Sequence, residues 1–481
     1  MIEKRQFYID GAWVDPQQGS DYQVINPATE EPCATISLGG AADAEAAVAA
    51  ARRAFPDWMA TPPAERIALL EKLLQVYKAR WEEMAQAISL EMGAPIDLAR
   101  QAQTGAGYGH LKNFVREGKA FEFERPLGDH APNDRIIYEP VGVAAMITPW
   151  NWPMNQITLK FGAAVVAGCT MVLKPSEESP LNAMLFAEMV HEAGFPPGVF
   201  NLVNGDGAGV GTQLSGHRDV DIVSFTGSTR AGIQISKNAA DTLKKVHLEL
   251  GGKGANLIFA DADEKAVKRG VISMMQNTGQ SCNAPSRMMV ERSIYDQAVE
   301  AAAEMANKVA VGAPSEEGRH IGPLINARQF DKVQELIQSG IDEGARLVAG
   351  GPGRPEGMNR GYYARPTVFA DVTHEMRIGR EEIFGPVLSI MPFEDEAHAV
   401  ELANDTEYGL TNYVQTTDPE RANRMARQLR AGMVEMNGHS RGAGSPFGGM
   451  KSSGNGREGG VWGIEDFMEV KAVSGWDAAP A

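Results

Sequence analysis

The sequence predicts an α/β protein built as two lobes. Short apolar runs alternate with helical stretches from Val141 onward, and the same rhythm starts again near Ala255. The composition, 43% hydrophobic and 22% charged over 481 residues, is that of a globular chain able to bury large cores. At roughly 150 residues per domain the length allows about three units.

Taken in order, the first 120 residues read as mostly helical. Residues 41–55 are alanine-rich and start beside Asp43, a capping type of residue. Residues 64–91 set Ile67, Leu70, Leu73, Leu74 and Tyr77 on one face and read as one helix, ended by Gly93 and Pro95. In the first α/β series, 141–148, 170–173, 199–203 and 222–226 read as strands, closed by 246–250. Helices are expected near 155–168, 182–194, 207–216 and 229–242. In the second, strands fall at 256–259, 288–291, 347–349, 367–369, 387–391 and 413–416, with helices at 263–277, 293–310, 326–343 and 418–430. The lobes meet near Leu250-Gly251-Gly252, and ligands of such folds sit outside the carboxyl ends of the strands. Residues 438–460 read as a Gly/Ser-rich ordered loop, because a strand at 466–473 follows.

Lys and Arg total 45 against 62 Asp and Glu, giving −17, which argues against a nucleic-acid surface. The three cysteines, Cys33, Cys169 and Cys282, form no CxxC pair, so neither a disulfide framework nor a Cys-rich metal site is expected. No HExxH or Cys/His metal spacing occurs, and no metal is expected. The N-terminus has no signal-peptide core, and the apolar stretch 161–173 is too short to span a bilayer. A cytoplasmic protein without membrane partners is the expectation.

Four groups of residues carry chemistry. Cys282 follows a helix in the small polar loop Asn277-Thr278-Gly279-Gln280-Ser281-Cys282-Asn283, which can expose a thiol near backbone N–H groups. A lone cysteine is more often structural, so the claim depends on its company; Cys169 reads as packing and Cys33 as part of an exposed turn. Glu249 ends an apolar strand before a Gly pair, where burial can raise a carboxylate toward general-base duty. Asn151 sits in the stiff turn Thr148-Pro149-Trp150-Asn151-Trp152-Pro153 and can donate to an oxyanion. Ser224-Phe225-Thr226-Gly227-Ser228-Thr229 runs strand, turn, helix and suits a pyrophosphate, while Lys174 and Glu177 leave another strand end toward a ribose. Gly454-Asn455-Gly456-Arg457-Glu458-Gly459 matches the dinucleotide fingerprint but lacks a preceding strand and a following apolar helix, so it is set aside.

In order and spacing these motifs, with Glu381-Glu382-Ile383-Phe384-Gly385-Pro386-Val387 and Pro446-Phe447-Gly448-Gly449, resemble the aldehyde dehydrogenase superfamily nearly end to end. The resemblance implies two three-layer α/β lobes, an atypical Rossmann cofactor domain and a catalytic domain, with a small β oligomerisation arm. It implies an NAD-binding domain at 1–122 and 144–250, a catalytic domain at 251–437, the arm at 123–143 and 462–481, and a substrate-entrance and active-site loop at 438–461. Cys282 is then the nucleophile, Glu249 the general base, and Asn151 with the Cys282 N–H the oxyanion hole. Cofactor contacts fall to Thr148, Pro149, Trp150, Lys174, Ser176, Glu177, Gly207, Gly211, Phe225, Thr226, Gly227, Ser228, Leu250, Gly251, Glu382 and Phe384. Trp152, Tyr108 and Phe447 are expected at an apolar substrate tunnel, Arg441 as a grip for a distal carboxylate, and Glu458 in proton relay.

The implied reaction is NAD-dependent oxidation of a small-molecule aldehyde to the acid, through a hemithioacetal and a thioester hydrolysed by water that Glu249 activates. NAD is preferred over NADP, because Glu177 repels a 2′-phosphate. The expected assembly is a homodimer or homotetramer. Three readings compete: a CoA-acylating aldehyde dehydrogenase, a cofactor-free thiol hydrolase, and a silent structural protein on the same scaffold.

Overall fold

The computed structural model describes residues 1–17 and 19–476; residues 477–481 of the expected arm lie outside them. The chain forms two large sheets, each dominated by parallel strands and covered by helices.

In the first sheet, five parallel strands run in the order Lys245–Glu249, Ile222–Thr226, Val143–Ile147, Thr170–Lys174 and Phe200–Leu202. All residues from Val143 to Ile147 and from Thr170 to Lys174 are buried, as expected for strands covered on both faces. Helices Pro153–Ala167 and Leu181–Glu192 pack on one face, and Ala41–Ala60 and Thr229–Ala240 lie on the other. The second sheet orders Arg346–Ala349, Thr367–Ala370, Val387–Phe393, Arg287–Glu291, Ala255–Ile258, Thr411–Gln415 and Met433–Met436; its first strand is antiparallel to the rest. The chain crosses from one sheet to the other through the short segment after Glu249.

Met468–Val473, Ala131–Pro140 and Glu124–Gly128 form a separate antiparallel sheet. Val470 is exposed on it. No helix among the described residues is long and apolar enough to cross a membrane.

Several expectations are corrected. The first 120 residues are mostly helical, as expected, but the helices begin at Ala41; before them come the strands Ile2–Lys4, Phe7–Ile9, Ala12–Val14, Ser20–Asn26 and Glu31–Leu38. Asp10-Gly11, at φ 53° and 78°, forms a two-residue hairpin turn between Phe7–Ile9 and Ala12–Val14. This Asp-Gly pair was a legible hairpin signal. Cys33 therefore sits half-buried in a strand and not in an exposed turn. The helix expected at 64–91 is two, Pro63–Ala79 and Trp81–Met92, broken where Arg80 leaves helical geometry at ψ 22°. Asp43 lies in the third position of its helix, and its carboxylate accepts the Gly40 N–H at 2.9 Å. The set-aside fingerprint has more structure than expected. Gly454–Asn455 adds an edge strand antiparallel to Lys245–Glu249, and the helix Gly460–Asp466 follows.

Candidate active site

Parallel strands bring their carboxyl ends to one side, and the register sets those ends next to each other. Ile147 pairs with Lys174 and Phe225, and Thr226 pairs with Glu249. The Thr148–Trp152 turn, the Lys174–Glu177 turn, the Gly227-Ser228 turn and Glu249 thus crowd one edge of the sheet. From the other lobe comes the helix Ala266–Met275. It ends in a tight turn in which Asn277 and Thr278 hold φ of 53° and 58°, the left-handed region. That turn aims Cys282 back at the first lobe.

A buried amide network fixes the loop that carries Cys282. Gln103 Nε2 and Asn277 Nδ2 donate to the Asn151 carbonyl at 3.0 and 2.9 Å. Asn151 Nδ2 donates to the Gln280 carbonyl at 3.0 Å, and Trp152 Nε1 donates to Ser281 Oγ at 2.8 Å. An amide carries two hydrogens, so Asn151 Nδ2 keeps one beyond its bond to Gln280. Cys282 is half-buried and lines two cavities, one on each side. Burial first, and then the charges of Glu382 and Glu249, push its thiol up to about 12.

Glu249 is buried, and neither carboxylate oxygen accepts a hydrogen bond. Burial raises its pKa above the carboxylate range; the nearby Glu458 charge adds to this, while His247 and Lys160 pull it down. Glu458 is buried on the bridge Phe447–Glu458 and is ion-paired with Lys160, which also donates to Thr226 Oγ1 at 2.8 Å. The Thr226 hydroxyl is thereby engaged inside the protein.

The slot on one side of Cys282 measures about 190 Å³. Pro149, Trp150, Gly227, Ser228, Leu250 and Gly251 form one wall. Glu382 and Phe384 close the other, with Phe384 edge-on to Trp150 at 5.6 Å between ring centroids. Glu382 Oε1 accepts the Gly252 N–H at 2.9 Å. Two residues that sequence reasoning missed, Gln329 and Lys332, also line the slot. Both sit on the helix Ala327–Asp342 and tie the Glu382–Phe384 backbone: Gln329 Nε2 donates to the Ile383 and Phe384 carbonyls, and Lys332 Nζ to the Glu382 carbonyl. Only their helical spacing signalled them, and that shows which face they share, not what it meets.

Beyond the slot, Ser228 caps Thr229–Ala240 by accepting the Ala231 N–H at 3.3 Å. The first-turn N–H groups of Thr229 and Arg230 have no intrahelical acceptor. Lys174 is buried, donates to the Pro175 and Gly205 carbonyls, and lies 3.4 Å from Glu177, which is half-exposed. Ser176 Oγ accepts the Glu178 N–H at 3.3 Å. Thr148 is buried with its hydroxyl unpartnered, and Phe225 is buried within its strand. Gly207–Gly211 form a single wide helical turn whose start is capped by Asp206.

The chamber on the other side of Cys282 measures about 410 Å³ and is lined by Trp152, Tyr413 and Phe447, with His110, Asn155 and Arg441 farther in. His110 Nε2 lies 2.7 Å from Asn155 Oδ1, and burial lowers its pKa, so the ring is neutral at physiological pH. Arg441 Nε donates to Glu435 Oε1 at 2.9 Å, and its guanidinium stacks 4.7 Å from the Phe447 ring centroid. Arg441 lines the chamber, as expected of the substrate entrance, and there it is ion-paired with Glu435. Tyr108 is corrected: it packs against Trp81 and Tyr77, away from the chamber.

The aldehyde dehydrogenase family model matches residues 13–473. A 3-succinoylsemialdehyde-pyridine dehydrogenase from a Pseudomonas species is 51% identical over 481 residues, covering 100% of both chains. The crystal structure of an aldehyde dehydrogenase from Bartonella henselae superposes with a TM-score of 0.98 at 58% identity, covering 98% of this chain and 100% of that one. Aldehyde dehydrogenase C from Pseudomonas syringae, a mutant complexed with NAD+ and octanal, gives 0.97 at 48% identity, covering 99% of this chain and 98% of that one.

Proposed function

Since the chain belongs to the aldehyde dehydrogenase family, we propose that it oxidises a neutral aldehyde to the free carboxylic acid, with Cys282 as nucleophile, Glu249 as general base and NAD as the preferred cofactor. The observation that carries this reading is the placement of Cys282. Its thiol lies between the cofactor-side slot and the aldehyde-side chamber, within reach of the charge of Glu249, a buried carboxylate that accepts no hydrogen bond.

The residues fit NAD. The slot between Trp150, Gly251, Glu382 and Phe384 would hold the nicotinamide end, and the free N–H groups after Ser228 suit a pyrophosphate. Lys174 and Glu177 would hold a ribose. Repulsion between Glu177 and a 2′-phosphate amounts to about 4 kcal/mol at ~4 Å and an effective dielectric near ~20, which favours NAD over NADP. The chemistry that NAD supplies when bound is acceptance of the hydride, which converts the Cys282 adduct to a thioester.

The protein's own steps are these. Cys282 Sγ gives its proton to solvent and, as the thiolate, adds to the aldehyde carbon. The Asn151 amide and the Cys282 N–H hold the oxygen anion; losing one such donor costs roughly 10²–10³ in rate. At the thioester stage Glu249 takes a proton from water as the oxygen adds to the carbonyl, the C–S bond breaks, and the acid leaves.

The chamber supports a neutral substrate, because Arg441 is paired and His110 uncharged. One relative holds octanal and another is named for a pyridine-bearing semialdehyde, and neither printed substrate requires a free cation in the chamber. We place the enzyme in the cytoplasm as a homodimer or homotetramer, a reading supported by the family and by the open edge of the 468–473 sheet.

The test is NADH formation from NAD and an aldehyde panel. Octanal and aromatic aldehydes are expected to exceed succinic semialdehyde in kcat/KM. Cys282→Ala abolishes turnover, and Glu249→Gln keeps a one-per-site NADH burst while losing steady turnover. A normal steady rate in Glu249→Gln, or acyl-CoA as the product when CoA is added, would overturn the hydrolytic assignment.

A further inference from the structure

Behind Glu249 lies a group that the mechanism above does not use. His247 stands two residues earlier on the strand Lys245–Glu249, so its side chain projects to the same face. Its Nε2 lies 3.4 Å from Glu249 Oε1, and its Nδ1 lies 2.6 Å from Asp466 Oδ2. These are charge contacts, since neither ring N–H aims in line at its carboxylate. Asp466 is in turn held by the Arg457 N–H at 2.9 Å. Gly456 keeps the space open: a Cβ there would sit 2.8 Å from both His247 Nδ1 and Asp466 Oδ2. His247 and Glu249 are buried, while the Asp466 side chain reaches solvent at 33% exposure.

We propose that His247, clamped by Asp466, is a positioning residue for thioester hydrolysis: its imidazolium faces Glu249 and holds that carboxylate in the ionised form that can take a proton from water. The inference rests on the hydrolytic reading above. A bare carboxylate in a dry site is driven toward its neutral acid, which cannot act as a base. A cation fixed nearby opposes that drive.

The charges around the pair set the sign. Lys245 shares the strand and is ion-paired with Glu469. Asp466 comes from the helix Gly460–Asp466, and Arg457 and Glu458 from the loop before it. Lys160, from the helix Pro153–Ala167, is committed to Glu458. Burial alone would strip the proton from His247, but Asp466 and then Glu249 outweigh it and lift the ring to about 9. The ring therefore stays protonated through neutral pH and deprotonates only as pH rises past about 9.

The experiment compares wild type, His247→Gln and Asp466→Asn, with NAD and an aldehyde that wild type turns over. The NADH burst reads acylation, and rapid-quench decay of the acyl-enzyme reads hydrolysis, each across pH 5–9. Both variants are expected to keep the burst amplitude. In His247→Gln the acid limb of hydrolysis moves up by about one pH unit, so hydrolysis below the limb slows about tenfold and recovers at high pH. Asp466→Asn moves the limb the same way by less. An unshifted limb in both variants overturns the proposal, as does loss of the burst in His247→Gln together with an unshifted limb in Asp466→Asn. A wild type with no burst and no acid product would instead sink the hydrolytic reading itself.

Discussion

At the scale of single residues, the resting Cys282 is a thiol, because burial and the charges of Glu382 and Glu249 oppose its ionisation. Activation must therefore come with the ligands that fill the two cavities. The raised pKa predicts slow alkylation of Cys282 by iodoacetamide at pH 7 without cofactor, with a rate that climbs steadily toward pH 10. Glu382→Gln removes the larger of the two charges and is expected to speed alkylation several-fold at pH 8. Peptide mapping separates the signal from Cys33 and Cys169, both of which burial lifts to about 11. An unchanged rate would show that the Glu382 charge does not reach the thiol. The residue types at this site were legible in the sequence. The pairing of Arg441 with Glu435 was not, since five residues lie between them and no local pattern shows that the chain turns back on the strand Met433–Met436.

At the scale of elements, the site depends on how closely two segments pass. Gly252, in the crossing between the lobes, lies directly against the Cys282 carbonyl, where a Cβ would overlap it. Gly252→Ala is expected to push the nucleophile loop away and to slow the NADH burst about 10²-fold. The KM for NAD should change little, because Gly252 is not among the residues that line the slot. A burst at the wild-type rate would show that the loop yields without cost. Most strand and helix placements from Val143 onward were readable from alternation and period, but the edge strand Met433–Met436 and the helix Glu396–Asn404 were not assigned. The strands before Ala41 were left unassigned: three of them are only three residues long, and Ser20–Asn26 is mostly polar, so neither shows an apolar period.

At the scale of the whole molecule, the cofactor slot takes its walls from both lobes: Trp150 and Gly227 from one, Glu382, Gln329 and Lys332 from the other. A ligand seated there braces the lobes against each other and binds only the folded form. NAD at about 100 times its Kd is therefore expected to stabilise the protein by ~2.7 kcal/mol, seen as a rise in Tm. NADP at the same concentration should raise Tm less, because of Glu177. An equal or larger shift with NADP would contradict the cofactor preference.

By itself the sequence determined the α/β class, the two-lobe division and the chemical types at the centre, because strand alternation, glycine turns and the ordered motifs are local properties of the chain. Only the tertiary structure decided which side chains meet. The Cys282 loop, the Glu249 strand end and the helix Ala327–Asp342 are far apart in sequence, and sheet register and lobe docking join them. The same packing took Tyr108 out of the chamber, paired Arg441 with Glu435 and placed His247 and Asp466 behind Glu249. Contacts across hundreds of residues arise from the packed cores, and no local pattern encodes them.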